Sequence, residues 1–359
     1  MNLNRLKIEA ACKISSDYAV GIDDESNCIF KLDTTTGESS FLTMVPGEEI
    51  YTGRLYTTAL FKNGNVYFTP FSANEIAIYD IEKNSVLKKK ISASHGYNSK
   101  KKFSGIVEYG DYLFMTPCTY PAVLRLNTIT GEADYYGGWA KGEKFLFRKA
   151  PEVLDDHFYL PSTTNDLLLD FDMKNCAGTL YHTGSENGCW SACHHQGNLW
   201  LSPIKRDAVI KWNIVNHRSE KIHVFPDGLS GKDFLFTKIY SNSEGLFLIP
   251  ANTNMAIKID VEKKQLMKAD IPGLYGNKIT QFLTEMNGYL YLFIKDNNDY
   301  KYLRLKMDDN TTDEFGFYLS DREMQRYRQT FAKKSIEQGN ILRENKVVNL
   351  SDFTGALTR

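Results

Sequence analysis

One short pattern recurs seven times along this chain of 359 residues, and it constrains the fold more than any single residue does. An apolar–apolar–x–apolar run ending in Asp or Asn appears as Ile29-Phe30-Lys31-Leu32-Asp33, Ile76-Ala77-Ile78-Tyr79-Asp80 and Val123-Leu124-Arg125-Leu126-Asn127. It returns at Leu169-Asp170-Phe171-Asp172, Val209-Ile210-Lys211-Trp212-Asn213 and Ala256-Ile257-Lys258-Ile259-Asp260, with a degenerate copy at Tyr302-Leu303-Arg304-Leu305-Lys306. The terminal residues stand 41 to 47 positions apart. Strand-like sequence repeating at that period points to a β-propeller.

A second repeat holds the first in phase. Apolar runs closed by proline precede the Asp/Asn: Val66-Tyr67-Phe68-Thr69-Pro70, Leu113-Phe114-Met115-Thr116-Pro117, Phe158-Tyr159-Leu160-Pro161, Leu199-Trp200-Leu201-Ser202-Pro203 and Leu246-Phe247-Leu248-Ile249-Pro250. Proline lacks the N–H of a sheet ladder and so fits where a strand ends. Pairs such as Gly64-Asn65, Gly197-Asn198 and Asn287-Gly288 supply hairpin-turn chemistry. Each unit therefore reads as four antiparallel strands, lettered A to D. In the unit carrying Pro70 they fall at about 56–61, 65–69, 75–81 and 85–91.

The expected architecture is all-β: a seven-bladed β-propeller of four-stranded antiparallel blades over residues 1–319, with a C-terminal helical extension, 320–359, packed on it. The first blade begins near the N-terminus and the seventh ends near 315–318. The weak match of residues 6–14 to strand A leaves strand exchange between the chain ends open. Ser320-Asp321-Arg322-Glu323 is a capping box. Met324, Tyr327 and Phe331 follow at helical spacing, which predicts a helix over 321–338 whose apolar stripe packs on the blades.

A net charge of −1 gives no reason to expect nucleic-acid binding. No apolar run reaches a membrane span, the N-terminal residues lack a signal-peptide pattern, and the six cysteines show no disulfide framework. The expectation is a cytoplasmic protein without membrane insertion. Cys189-Trp190-Ser191-Ala192-Cys193-His194-His195 resembles a metal cluster or a Cys–His nucleophile pair. On a strand, however, its cysteines stand about 13 Å apart, too far for one zinc ion. The two histidines fall at the A–B turn, away from the face that carries the other loops. No metal or cofactor is expected.

Chemistry on such a scaffold belongs on the face formed by the D–A and B–C connections, around the channel mouth. Thirteen residues before each motif proline, at the start of strand A, stand Thr57, Ser104, Arg148, Trp190 and Thr237; Gln281 is assigned the matching place in the last unit. Five of these six are not apolar, which a position facing the channel would explain. With neighbours Tyr56, Lys102, Lys149 and Lys238 they form the candidate ligand-binding set. Arg and Lys suit phosphate or carboxylate, amides suit hydroxyl-rich ligands, and aromatic faces cover sugar rings. Arg148 and Trp190 lead because a strand holds them more rigidly than a loop tip would.

The unit Asn65-Val66-Tyr67-Phe68-Thr69-Pro70-Phe71-Ser72-Ala73-Asn74-Glu75-Ile76-Ala77-Ile78-Tyr79-Asp80 resembles the repeat of YVTN-type and streptogramin-lyase-like seven-bladed propellers. The resemblance spans about 300 residues and implies the fold. Lyases of this type are metal-dependent and use histidines near the beginnings of inner strands. The corresponding positions here are Tyr56, Phe103, Phe147, Cys189, Phe236 and Thr280, none of them histidine. The resulting reading is a binding or accessory protein for a carbohydrate-like or anionic small molecule. A lyase, hydrolase or epimerase acting on a glycan or glycoconjugate in the same place stays open, so whether the chain is an enzyme is undecided and no catalytic residue is assigned. A protein-interaction scaffold using the propeller rim or the C-terminal helix also stays open.

Overall fold

A computed structural model describes residues 5–24, 26–48, 53–92, 101–148, 150–231, 233–276, 278–296 and 299–338. It holds seven antiparallel blades of four strands each in a propeller ring, with one C-terminal helix. The chain groups into two compact units, Met1–Ile91 with Phe315–Arg359, and Ser92–Glu314. The first unit carries blades 1 and 2 and the helix, and the second carries blades 3 to 7.

The unit chosen above to set the strand boundaries is blade 2, with strands Tyr56–Lys62, Asn65–Pro70, Glu75–Asp80 and Ser85–Lys90. Strand B ends on the motif proline in blades 2 to 6. Asn63-Gly64, Gln196-Gly197 and Asn287-Gly288 form A–B turns with both residues at positive φ, the twist that two-residue hairpins require. The recurrent Asp/Asn proves to be a turn residue. The side chains of Asp33, Asn127 and Asn213 each accept two backbone N–H groups from the following turn, and those of Asp80, Asp172 and Asp260 each accept one backbone N–H and one side-chain N–H of the same turn residue. This is Asx-turn chemistry, and it fixes where strand C stops and strand D begins. The bonds to Asp33 and Asp260 hold both carboxyls below the usual carboxylate range.

The x of the same motif has a second role. Lys31 lies over Tyr18, Arg125 over Tyr112, Lys211 over Trp200, Lys258 over Phe247 and Arg304 over Tyr289, each 4.5–5.6 Å from the ring centre. In every case the cation on strand C covers an aromatic on strand B. Blade 4 differs: Asp170 takes the cation's place and its carboxylate meets His157 Nδ1 at 2.6 Å. The His–Asp pair thus occupies the strand B and strand C positions that hold a cation over an aromatic ring in five other blades.

Blade 1 takes its four antiparallel strands from the N-terminal end of the chain: Ile8–Lys13, Tyr18–Asp23, Cys28–Asp33 and Glu38–Met44. A fifth strand, Tyr318–Leu319, joins the outer edge of blade 1 in parallel register with Glu38 and Ser39. The helix spans Asp321–Glu337, and the N–H of Glu323 donates to the Ser320 hydroxyl. One half of the capping box differs from expectation. The Glu323 carboxylate accepts the N–H of Phe41 at 3.0 Å, which ties the helix to blade 1. Met324, Tyr327 and Phe331 are buried, and Tyr327 sits edge-on to Phe30 at 5.4 Å.

Candidate functional site

At the start of strand A the ladder takes in one extra residue. In blade 2 Tyr56 pairs with Pro70 and Ala59 with Phe68, so Thr57 and Thr58 face Thr69 alone. The same bulge holds Ser104 in blade 3, Trp190 and Ser191 in blade 5, and Thr237 in blade 6. These positions are the ones reached by counting back from the prolines, and in blades 3 and 6 the bulge gives their polarity a structural reason. Thr57, Ser104 and Thr237 are at most 5% exposed. The Thr237 hydroxyl accepts the N–H of Phe282 on the next inner strand, and Ser191 does the same for Ile239. Ser104 donates to the Pro117 carbonyl.

Two placements require correction. In blade 7 the bulge falls at Leu283, while Gln281 pairs regularly with Phe293. That blade has no motif proline, and counting from Lys306 at the end of strand C would have found the shift. In blade 4 strand A is only Glu152–Leu154, so Arg148 is not strand-borne. Pro151 can donate no ladder bond, and Ala150 before it sits at φ +66°, which breaks the strand. Arg148 instead follows Phe147, whose isolated bridge to Ser162 and N–H bond to the Cys118 carbonyl fix the backbone.

From that anchor the Arg148 guanidinium lies over the Trp190 indole, 4.7 Å from its centre. Trp190 approaches because Gly188, at φ +84°, lets the chain pass close to blade 4; a Cβ there would lie 2.6 Å from the Ser162 carbonyl. Phe234 meets Trp190 at 5.4 Å and 75°, and is itself 44% exposed. Within the second unit these three side chains form a connected cationic and aromatic group on the loop face. Sequence reasoning missed Phe234. The loop amides mostly brace the loops: Asn165 donates to the Lys144 carbonyl, and Asn254 accepts the N–H of Ser230.

Tyr56, in the first unit, is 1% exposed and donates to Glu48, which also pairs with Lys88. Lys102 is 8% exposed, with its carbonyl accepting the N–H of Cys118. Lys238 is buried, pairs with Glu285 at 3.6 Å and lies over Phe282. Lys149 lies outside the described residues. Cys189–His195 forms one continuous strand, so His194 and His195 end strand A rather than form the turn. Burial pushes the Cys189 thiol up to about 12 and the Cys193 thiol up to about 11, the reverse of what a thiolate nucleophile needs.

Glu152 is a second residue that the pattern did not reveal. Its carboxylate accepts the N–H of His194 at 2.8 Å, bonding blade 4 to blade 5. Burial raises its pKa; the His194 N–H and Lys238 oppose that rise without cancelling it. The unfolded chain therefore ionises at lower pH than the folded one, and this group's contribution to stability falls as pH rises above about 4.5. Glu152→Gln keeps the acceptor and removes the buried charge, so it should melt at or above the unsubstituted protein at pH 7. Glu152→Ala orphans the His194 N–H and should cost about 1–3 kcal/mol. Thermal melts at pH 4.5 and 7 check both, and a Gln variant as unstable as the Ala variant would contradict the assignment.

No protein-family model matches the chain, and no curated protein sequence matches it. Solved structures do. A streptogramin B lyase superposes with a TM-score of 0.55 at 12% identity, covering 81% of this chain and 93% of that one. A catalytically inactive virginiamycin B lyase from Staphylococcus aureus, with quinupristin, gives 0.61 at 11%, covering 82% and 94%. The WD40 repeats of RRP9 give 0.55 at 10%, covering 80% and 87%. What they share with this chain is the fold. The resemblance to the lyase-type propellers holds at the level of the repeat. Of the positions matched above to the lyase histidines, Tyr56, Phe103, Cys189 and Phe236 open inner strands and Phe147 sits on its isolated bridge, and all five are at most 2% exposed. Among the described residues no helix is long and apolar enough to cross a membrane, and no group of three or more His, Cys, Asp or Glu is placed to hold a metal ion.

Proposed function

We propose that this protein is a binding or accessory propeller whose loop face takes a small anionic ligand, with the guanidinium of Arg148 as its anchor. The contact at 4.7 Å between that guanidinium and the half-buried Trp190 indole carries the reading. A guanidinium over an indole is restricted in orientation, and an arginine pairs with carboxylate or phosphate through a planar fork of N–H donors. The indole also offers apolar surface to a sugar ring. A cytoplasmic setting belongs to the same proposal, supported by six free cysteines of which five are buried.

Calorimetric titration of sugar phosphates and nucleotide sugars tests the reading. At least one should bind, and Trp190→Ala should weaken it by about twofold to thirtyfold, the range set by a contact of roughly 0.5–2 kcal/mol. No heat from any member of the panel would end the small-ligand reading. The same face would then favour a protein partner, because Phe234 and Tyr275 are exposed there.

A further inference from the structure

Phe234 is a bulky residue at φ +60°, a region where such side chains are rarely found. The backbone around it explains the angle. The N–H of Leu235 donates to the Ile204 carbonyl, the Leu235 carbonyl accepts the N–H of Ala251, and Gly231 bridges to Thr253. These bonds are all main-chain, so they would impose the same turn on any residue. Blade 2 confirms it: Arg54, at the equivalent position before a buried leucine, has φ +54°. Asparagine or glycine would take this conformation with less strain. The phenyl ring is not needed for the core either, being 44% exposed. A strained, half-exposed aromatic that neither makes the turn nor fills the core is spent on something outside the fold.

Its place beside Trp190 and Arg148 says what that is. A phenyl ring has no polar atom, so it recognises only apolar or planar surface. We infer that Phe234 is a ligand-contact residue, and that the anion held by Arg148 carries a planar ring or comparable apolar group, as aryl and nucleoside phosphates do. This rests on the ligand reading of the loop face given above.

Phenyl phosphate, glucose 6-phosphate and inorganic phosphate are the probes, titrated into the unsubstituted protein, Phe234→Asn and Arg148→Ala. Phenyl phosphate should bind more tightly than the other two. Phe234→Asn should lose five- to tenfold in affinity for phenyl phosphate, keep its affinity for inorganic phosphate, and melt at or above the unsubstituted protein. Arg148→Ala should weaken every phosphate that binds. Unchanged phenyl phosphate affinity in Phe234→Asn, with the loss confined to Arg148→Ala, would overturn this inference and leave the ligand site standing. A fall of several degrees in the melting temperature of Phe234→Asn would overturn it too, because the ring would then be packing. If no phosphate binds the unsubstituted protein, the inference falls.

Discussion

Replacing Tyr327 by alanine should lower the melting temperature by about 5–10 °C without changing the fold. The ring is 2% exposed and packs against Phe30 at 5.4 Å, Phe41 at 5.8 Å and Phe331 at 5.9 Å, so its loss opens a cavity between the helix and blade 1. Truncating a buried aromatic costs about 3–5 kcal/mol. In a chain of this size, each kcal/mol corresponds to roughly 2 °C. Removing residues 315–359 should do more, because it takes the parallel strand Tyr318–Leu319 and the Glu323 bond to Phe41 as well as the stripe. A Tyr327→Ala protein that melts like the original would show that the helix does not brace blade 1.

The repeat made the blades legible because each of its parts performs one local job. Proline stops strand B, Asp or Asn opens the C–D turn, and paired turn residues close the A–B hairpin. Such signals need only a few neighbouring residues. The helix could be read from the sequence for the same reason, since Ser320 and the Met324, Tyr327, Phe331 spacing lie within one segment. What the repeat could not convey was the facing of side chains around the bulge. One extra residue shifts the alternation of inward and outward positions, so neighbours that count together in sequence separate in space. Tyr56 and Lys238 turned into packed interiors by this route. Blade 4 departed for another reason: Pro151 breaks the inner strand, which frees Arg148 from the ladder and brings it onto Trp190. Glu152 and Phe234 left no trace in the pattern, because burial and a positive φ are imposed by strands far away in sequence.

Arg148 should be the residue whose loss weakens ligand binding most. A charge-assisted bond from its guanidinium to a carboxylate or phosphate is worth roughly 1.5–3 kcal/mol, or about one to two decades in affinity. Arg148→Lys keeps the charge but loses the planar fork and most of the stacking on Trp190, so it should recover only part of the binding that Arg148→Ala loses. A structural role predicts something different. If the guanidinium served chiefly to seat Trp190, its removal would loosen the approach of blade 5 to blade 4 and lower the melting temperature.

Calorimetric titration of the tightest-binding phosphate into Arg148→Ala, with a thermal melt of the same sample, separates these outcomes most directly. The expected result is a melting temperature within about 2 °C of the unsubstituted protein, in line with a half-buried cation–aromatic contact of about 1 kcal/mol, together with at least a tenfold loss of affinity. A protein that melts several degrees lower and binds the phosphate as tightly as before would contradict it.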